Sequence, residues 1–466
     1  MPNLTNKEAI NIHLRTYRSA LRSSKEISIA SLIPTYLKMN PLLHPKANSK
    51  ESDQEALSYV LARLPKEISQ TKLIIIGQTK EIFTKAGYKI KNWKQVFAPR
   101  RWRRTFFDPQ TKTLASFIAS ISDVDDIINL LIALQIELNK TGQSPNFKVK
   151  LLSESWVNFA KNIQIWWREI IRRTKRQFNF AQQPLVFISS NSHSLINLLD
   201  GFCLKNKEKI ISSSGQKSTN VYFASQFAFQ RNPDLWRKKL AAEKEMGIMR
   251  IKPSGGFNLE TQIIPGKLIS PKLKNLIVLN VEAPLGFAAF HLLEEVLENV
   301  QEIKGIYIMG KAAALNTKKG DILIPKIVFD EHTQNTYLVN NCFNNNFNYP
   351  FKGGSVLDNQ KLVSVLGTFL QNKDLFDSYS EKEFNIIEME AGPYLGAITQ
   401  ATFPKPLPQN TIVDLHQPPF EMGIIYYSSD NPYTLNETLK EALGPAGIEA
   451  TYLTTQAIID RVKKTD

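Results

Sequence analysis

The stretch Ile386–Ala397, IIEMEAGPYLGA, decides the fold, because it places two carboxylates at the end of an apolar run. Glu388 and Glu390 flank Met389, and the small-residue segment that follows is helix-like. Carboxylates are seldom buried unless polar groups occupy them. A vicinal diol such as that of ribose would satisfy both, since each ionised oxygen accepts a hydroxyl proton in a bond worth about 1.5–3 kcal/mol. The alternative is a solvated strand end with both glutamates in water.

Three further stretches extend the pattern along the chain. Gly305–Leu315 (GIYIMGKAAAL) and Lys319–Val328 (KGDILIPKIV) come before it, and Met422–Pro432 (MGIIYYSSDNP) comes after it. Their order is a strand, a turn of glycine and small residues with a leucine, a Gly-Asp-Ile strand, Glu-Met-Glu, and a strand that ends in Ser-Asp. This ordered set resembles the nucleoside phosphorylase superfamily, which includes purine nucleoside phosphorylases, uridine phosphorylase and the methylthioadenosine and AMP nucleosidases. The resemblance begins at about Pro184 and runs to the C-terminus.

The resemblance implies an α/β domain with a mixed sheet flanked by helices. It also implies cleavage of the N-glycosidic bond of a purine nucleoside or nucleotide. Glu388 and Glu390 would then hold the ribose hydroxyls, Met389 would lie against the sugar, and Asp430 would protonate the departing base at N7. An ordinary aspartate has a pKa near 3.9, so burial or the substrate would have to keep Asp430 protonated. Apart from the resemblance, Ser429–Pro432 is equally a plain turn of turn-forming residues.

A polar loop follows the apolar strand Leu185–Ser190 and leads into a helix-like segment. This arrangement suits an anion, because the N–H groups and the dipole of the helix point at the loop. It stands where the superfamily's first strand carries its phosphate-binding loop. The candidate phosphate- or anion-binding residues are Ser190, Asn191, Ser192, His193 and Lys311. For His193, a capping role at the helix start is an equal alternative.

At several positions this sequence differs from the superfamily, and these differences leave undecided whether phosphate or water accepts the sugar. Ile308 stands where its phosphorylases usually have an arginine, and Lys311 stands where they have Ser or Thr. The glycine-rich loop with its arginine is absent after Ser190. Inorganic phosphate as co-substrate and water are therefore both open. Gly305–Ala312 formally matches GxxxxGK, but its variable positions form a strand and the hydroxyl residue is missing, so it is not a P-loop.

Residues 1–183 are predicted to form a mainly helical, basic domain with one small β/α unit. Lys72–Gly77 (KLIIIG) indicates a short buried strand, and Thr79–Ala86 indicates a helix after it. Ser122–Lys140 starts with an N-cap and acids and carries an apolar face, which predicts a core helix. Trp156–Arg176 has apolar side chains on one face and basic ones on the other. Such a helix suits packing against a core, or contact with a membrane or nucleic acid.

The densest basic cluster lies within Ala98–Phe107, APRRWRRTFF. Its arginines are Arg100, Arg101, Arg103 and Arg104. Arginine interleaved with an aromatic residue suits phosphate binding and base stacking. The alternative is a solvated basic loop that Trp102 anchors to the core.

Composition limits the class of protein. The 466 residues are 42% hydrophobic and 10% aromatic, which is typical of a globular chain with two to three domains. The net charge of +15 favours anionic partners, namely nucleotide phosphates, nucleic acid or acidic membrane surfaces, without choosing among them. No apolar run approaches the roughly 20 residues of a membrane span, and the N-terminus lacks a signal pattern. Two cysteines, Cys203 and Cys342, indicate free thiols and a cytoplasmic protein.

These patterns predict two domains, residues 1–183 and an α/β domain of residues 184–466 with an insertion near 206–265. No HExxH, CxxC or clustered carboxylate–histidine set is present, so neither a metal nor another cofactor is expected. One hypothesis is a glycosidic-bond-cleaving enzyme whose basic N-terminal half binds a substrate phosphate or builds a homo-oligomer. The alternative is a non-catalytic module that senses a nucleotide and binds nucleic acid through its basic N-terminal domain.

Overall fold

The structure is a computed structural model whose described residues form two β-sheets. It describes residues 6–23, 26–41, 57–58, 60–97, 102, 104–118, 120–143, 145–152, 159–251, 259–344, 349, 351, 353–367, 370, 373–403, 407–432 and 444–465. We call residues 6–152 the N-terminal unit and residues 159–465 the C-terminal unit.

The first sheet lies in the N-terminal unit and has six strands. They are β1 (Ile27–Ser28), β2 (Leu73–Gly77), β3 (Lys94–Val96), β4 (Thr105–Asp108), β5 (Thr113–Phe117) and β6 (Lys148–Leu151). Their order across the sheet is β1-β6-β2-β5-β4-β3. The apolar run LIIIG forms β2 between two parallel neighbours, β5 and β6, where a strand is buried on both faces.

The second sheet lies in the C-terminal unit and has eleven strands. They are β7 (Leu185–Ser190), β8 (Met249–Ile251), β9 (Thr261–Pro265), β10 (Ile277–Glu282), β11 (Ile303–Ala314), β12 (Ile322–Asp330), β13 (Thr336–Val339), β14 (Val356–Ser364), β15 (Phe384–Glu388), β16 (Ile412–Leu415) and β17 (Glu421–Asp430). The order is β16-β13-β12-β14-β15-β11-β7-β10-β9-β8, and β17 pairs with both β11 and β12. Both parallel and antiparallel pairs occur, so the mixed α/β sheet that the sequence predicted is confirmed.

Five strands of the second sheet close into a ring. β11 pairs with β17, β17 with β12, β12 with β14, β14 with β15, and β15 returns to β11. β11 runs unbroken through Gly310, and its last residues are therefore still in the strand where they pair with β15. The turn that the sequence predicted at this glycine is therefore wrong. Gly310 instead lets the ring of Tyr426 lie close to the strand, 3.2 Å from where a Cβ atom would stand.

Fourteen helices occur in the described residues. They are α1 (Asn6–Arg22), α2 (Ile33–Leu37), α3 (Lys80–Lys85), α4 (Ile121–Lys140), α5 (Phe159–Thr174), α6 (Ser194–Asp200), α7 (Phe202–Lys205), α8 (Lys207–Ser214), α9 (Val221–Arg231), α10 (Pro233–Glu245), α11 (Ala288–Asn299), α12 (Lys373–Glu381), α13 (Ala391–Thr402) and α14 (Gly444–Val462). In the N-terminal unit, helices hold more of the described residues than strands do, as the sequence predicted. Of its sheet, the sequence predicted only β2.

Helix α4 differs from its prediction in two ways. Its N-cap is Ser120, whose side chain accepts from the Asp123 N–H while the Asp123 carboxylate accepts from the Ser120 N–H. Ser122, the predicted cap, lies inside the first turn. The helix is buried on all sides over Ser122–Glu137, whereas the sequence predicted a single apolar face. A helix buried all round lies between other elements.

Helix α5 packs in the core of the second sheet. Trp166, Trp167 and Ile170 are each at most 4% exposed in that core. The Trp166 indole N–H donates to Thr261 Oγ1 on β9 at 3.0 Å. The second core therefore begins before the boundary predicted at residue 183, and the apolar face of α5 is occupied by protein.

The segment predicted as an insertion near residues 206–265 contributes to the second sheet. It begins with α8, α9 and α10, and then β8 and β9 extend the sheet beyond β10. β9 pairs antiparallel with β10 along five residues. The segment therefore forms part of the domain rather than an appendage.

Candidate functional site

Glu388 is buried and its carboxylate is fully occupied. Oε2 accepts from the N–H groups of Glu390 (2.6 Å) and Ala391 (2.8 Å) and from the Tyr426 hydroxyl (2.8 Å). Oε1 accepts from the Ser364 hydroxyl. Burial raises the pKa of Glu388, and these donors act in the opposite direction. The predicted sugar contact of Glu388 is therefore corrected: this carboxylate binds the first N–H groups of α13 and fixes the helix on the sheet.

Glu390 and Met389 lie beyond the end of β15 and face other groups. Glu390 is half-buried, and its Oε1 accepts from the Gly286 N–H at 3.0 Å. Met389 is 6% exposed and belongs to a small apolar cluster with Ile387 and Leu315. Sugar binding by these two residues stays a prediction.

Ala313 on β11 links this segment to Asp430. It lies opposite Ile387 on β15 and opposite Asp430 on β17. Neighbouring strands are about 4.8 Å apart, so the backbones of Ile387 and Asp430 are at most roughly 10 Å apart, within the length of a nucleoside. Residues opposite each other share a face of the sheet. Asp430 therefore lies on the face of Ile387 and its cluster partner Met389.

A β-bulge at Ser429 sets the direction of Asp430. Ala312 lies opposite Ser428 and Ala313 opposite Asp430, so Ser429 is the extra residue. Its hydroxyl contacts the Ala312 carbonyl (3.1 Å) and the Asp430 carboxylate. Without the bulge, Asp430 would share the face of Tyr426, which contacts Glu388. The bulge thus places Asp430 and Glu388 on opposite faces, and Asp430 is half-buried.

The loop after β7 is built around Asn191. Its Oδ1 accepts from the N–H groups of His193 (3.0 Å) and Ser194 (2.7 Å), so these donors are already occupied. Ser190 is buried, and its hydroxyl donates to Asn280 Oδ1 at 2.7 Å. The Ser192 carbonyl accepts from Gln262 Nε2 at 2.7 Å. Asn191 Nδ2, in contrast, is buried with no hydrogen-bond partner among the described residues.

His193 contacts Tyr452 on α14, with Nδ1 3.3 Å from the tyrosine oxygen. Burial, together with the charges of Arg250 and Lys239, lowers the pKa of His193 to about 4. The imidazole is therefore neutral at pH 7. As a neutral group it can contact a ligand through a hydrogen bond but cannot supply positive charge for phosphate.

Lys311 is exposed and lies on β11 two residues before Ala313. Side chains two apart on a strand share a face, so Lys311 and Asp430 project from the same face of the sheet. The two positions are roughly 7 Å apart along the strand. Lys311 is thus the one positively charged residue among the five candidate anion-binding residues, and its strand position is close to that of Asp430.

The basic cluster is only partly described. Arg100, Arg101 and Arg103 lie outside the described residues. Trp102 is 0% exposed, so its ring is packed in the core of the N-terminal unit and is not available for base stacking. Arg104 lies over the rings of Phe106 (5.8 Å) and Phe117 (5.5 Å). Trp102 therefore anchors this segment in the core, as one of the two alternatives predicted. Nucleic-acid binding by the arginines stays a prediction.

Three further observations concern cysteines, metals and membranes. Cys203 and Cys342 are both free thiols. Within the described ranges, no group of three or more His, Cys, Asp or Glu side chains could hold a metal ion. Over the same ranges, every helix is too short or too polar to cross a membrane.

Sequence reasoning missed the contacts of four residues that organise the site. Ser364 and Tyr426 bind Glu388, Gly286 binds Glu390, and Ser122 binds the loop that carries Gly286. The strand-end position of Ser364 offered a weak signal, because polar residues at carboxyl ends of parallel strands meet at one edge. Ser122 offered none, since its partner Phe287 lies 165 residues away.

Solved structures with a similar fold are nucleoside phosphorylases and nucleosidases. Uridine phosphorylase isoform 2 from Schistosoma mansoni is 11% identical, with 62% of this chain and 91% of that chain covered and a TM-score of 0.34. The 5′-methylthioadenosine/S-adenosylhomocysteine nucleosidase from Neisseria meningitidis is 13% identical, with 59% and 99% covered and a TM-score of 0.33. The S-adenosylhomocysteine nucleosidase from Streptococcus pyogenes is 11% identical, with 60% and 97% covered and a TM-score of 0.35.

No curated protein matches this sequence. A family model does match, in two segments that together span most of the chain, residues 29–144 and 141–464. The chain therefore belongs to this family, which is described as a family of unknown function, DUF6909.

Proposed function

We propose that this chain cleaves the N-glycosidic bond of a purine nucleoside or nucleotide. The observation that carries the proposal is the register through Ala313, which sets Asp430 on the same face as Ile387, two residues before Met389. A sugar held at Met389 and Glu390 would put its base within reach of Asp430. The ordered motifs in the sequence, which resemble those of the nucleoside phosphorylase superfamily, independently support the same chemistry.

The reaction breaks the bond between the sugar C1′ and the base nitrogen. The electron pair of that bond leaves with the base, and Asp430 would deliver a proton to the base as it departs. Glu390 would accept hydrogen bonds from sugar hydroxyls, and Met389 would cover the apolar side of the ring. An oxygen of water or of inorganic phosphate then bonds to C1′, and the proton that this nucleophile gives up would replace the one that Asp430 donated. Lys311 and Asn191 Nδ2 would hold the phosphate if phosphate is the acceptor.

The test is release of free base by the purified chain from a panel of purine nucleosides and nucleotides, with and without inorganic phosphate. We expect Asp430→Asn to lower the rate by about 10²–10⁴-fold, because general acid catalysis contributes that much. Asp414→Asn is the matched control, since Asp414 is an exposed aspartate of β16 paired with His416. Its rate should equal that of the unmodified chain.

Two results would count against the proposal. One is no base release from any member of the panel under either condition. The other is equal loss of activity in Asp430→Asn and Asp414→Asn, which would show that the effect is not specific to Asp430. A dependence of the rate on inorganic phosphate would distinguish a phosphorylase from a nucleosidase.

A further inference from the structure

The loop Leu285–Phe287 lies between the two units and contacts both. The Phe287 N–H donates to Ser122 Oγ at 3.1 Å, and the Ser120 hydroxyl donates to the Leu285 carbonyl at 3.3 Å. Between them, the Gly286 N–H donates to Glu390 Oε1 at 3.0 Å. Three consecutive residues thus bind the first turn of α4 on one side and the candidate sugar-binding carboxylate on the other.

The fit at Gly286 leaves no space for a side chain. Its φ of +56° lies in the left-handed region that favours glycine. A Cβ atom there would stand 2.8 Å from Ser122 Cβ and 3.3 Å from Met389 Cε. Ser122 and Met389 therefore both border the space into which a side chain at this position would project.

Helix α4 is a rigid element for this contact. Its first turn is closed by the reciprocal bonds of Ser120 and Asp123. Deeper in the helix, Asp125 accepts from the Tyr17 hydroxyl (2.7 Å) and from Arg18 Nε (3.1 Å) on α1. Ser122 and Asp125 are each 2% exposed. The helix therefore cannot turn or slide without breaking buried bonds.

A second loop from the same edge of the second sheet also enters the N-terminal unit. Leu370, after β14, is 3% exposed in the core that contains α4, and Leu366 packs against that core. The Leu366 N–H donates to Glu331 Oε2 at 2.8 Å, next to the end of β12. Two loops of the C-terminal unit therefore contact the N-terminal unit.

From these contacts we infer that Ser122 is a positioning residue and that α4 forms one wall of the sugar subsite in the same chain. Ser122 fixes the Leu285–Phe287 loop, and Gly286 in turn fixes the carboxylate of Glu390 for the sugar hydroxyls. The inference rests on the proposed function for the identity of the ligand. It gives the N-terminal unit a role in the site that does not involve nucleic acid.

A double-mutant cycle tests the coupling. Ser122→Ala, Glu390→Gln and the double variant are compared by kcat/KM on the best substrate of the panel. We expect Ser122→Ala to lower kcat/KM about 3- to 10-fold, the value of one hydrogen bond, mainly through KM because sugar contacts form before the transition state. In the Glu390→Gln background, Ser122→Ala should have little further effect. Additive losses, or a loss confined to kcat, would overturn the inference.

A matched control separates positioning from general destabilisation. Ser116→Ala removes another buried hydroxyl of the N-terminal unit, one that donates to the Trp102 carbonyl at 2.6 Å. Its kcat/KM should equal that of the unmodified chain when both are assayed well below their melting temperatures. If Ser116→Ala lowered kcat/KM as much as Ser122→Ala does, removal of any buried hydroxyl in this unit would have the same effect, and the inference would fail.

A ligand-free measurement keeps the inference testable if no substrate is cleaved. Residue-resolved amide hydrogen exchange of Gly286 is compared in the unmodified chain, Ser122→Ala and Ser116→Ala. We expect exchange at Gly286 to become at least about 10-fold faster in Ser122→Ala only, because its bond to Glu390 depends on the loop position. Unchanged exchange would overturn the positioning role. Absence of base release with faster exchange would refute the proposed function and leave the positioning role in place.

Discussion

Glu388 and Glu390 bind different groups because β15 ends between them. The sequence suggested one diol for both carboxylates, which would require them to face the same way, as residues two apart on a strand do. The strand stops at Glu388, however, and Glu390 takes helical dihedral angles (φ −117°, ψ −32°) as the residue before α13. Glu388 stays among four donors on the sheet, while Glu390 reaches Gly286.

Substitution by leucine should therefore separate the two glutamates. Glu388→Leu keeps roughly the same volume but leaves two backbone N–H groups and the hydroxyls of Ser364 and Tyr426 without their acceptor. We expect a loss of at least about 2 kcal/mol in the free energy of unfolding, since each buried unsatisfied donor costs about 1–3 kcal/mol. Glu390→Leu should cost about 1 kcal/mol. Urea denaturation measures both, and equal stability losses would contradict these assignments.

From the sequence, candidate site residues could be proposed only where the signal is local. Met389 and Asp430 could be proposed from short motifs, because each lies at the end of an apolar strand that is visible as a run of letters. The bulge at Ser429 could not, since only pairing with β11 shows that two residues oppose one. Ser122 and Gly286 belong to a contact between distant segments, and nothing in either segment indicates the other.

At the scale of elements, α13 lies very close to the second sheet. A Cβ atom on Gly392 would stand 2.7 Å from Asp330 Cβ and 2.8 Å from Asp330 Cγ. The Gly392 N–H also donates to Ser364 Oγ at 2.6 Å. Asp330, Ser364 and Glu388 are in register at the carboxyl ends of β12, β14 and β15. The first turn of the helix is therefore fixed on a row of three polar side chains.

Alanine at Gly392 should push this helix away from the sheet. We expect Gly392→Ala to lower the free energy of unfolding by about 1–3 kcal/mol, because Asp330 is 1% exposed and held by His332 and Thr333. Gly396→Ala is the matched control in the same helix. Its Cβ atom would meet Phe290 at 3.5 Å, an ordinary contact, so the helix propensity of alanine should leave stability unchanged or raise it by up to about 1 kcal/mol. Chemical denaturation of both variants measures the difference, and a stabilised Gly392→Ala would refute the close approach.

Elements were predictable from sequence where they are long or continuously apolar. β7, β10, β12 and α4 correspond to apolar runs or periodic faces in the chain. β3 and β4 are short and mixed in polarity (KQV and TFFD). They form strands because β3 pairs with β4 and β4 pairs with β5. Tertiary pairing therefore decides their conformation, which local propensity does not reveal.

At the scale of the whole molecule, the N-terminal unit is organised around a buried polar network. His13 on α1 is 0% exposed. Its Nδ1 lies 2.8 Å from Thr35 Oγ1, and its Nε2 lies 2.8 Å from Asn129 Oδ1 on α4. Asn129 also donates to the Asp125 carbonyl at 2.7 Å. The network joins α1 and α2 to α4, and the first turn of α4 contacts the loop beside the candidate site. Protonation of His13 would therefore disturb a helix that contacts both units.

This network should make stability depend on pH in the acid range. Burial lowers the pKa of His13 to about 4, although Asn129 and Asp125 act in the opposite direction. The unfolded chain, with a histidine pKa near 6.5, then binds more protons than the folded one between pH 6.5 and 4, so stability is full above pH 6.5 and falls as the pH drops. The expected contribution is about 3 kcal/mol, from 1.36 kcal/mol for each pKa unit.

His13→Gln keeps a polar group beside Asn129 but cannot take up this proton. Urea denaturation between pH 7 and pH 4 should therefore show a smaller loss of stability for His13→Gln than for the unmodified chain. Parallel curves would show that His13 is protonated as readily in the folded protein as in the unfolded one.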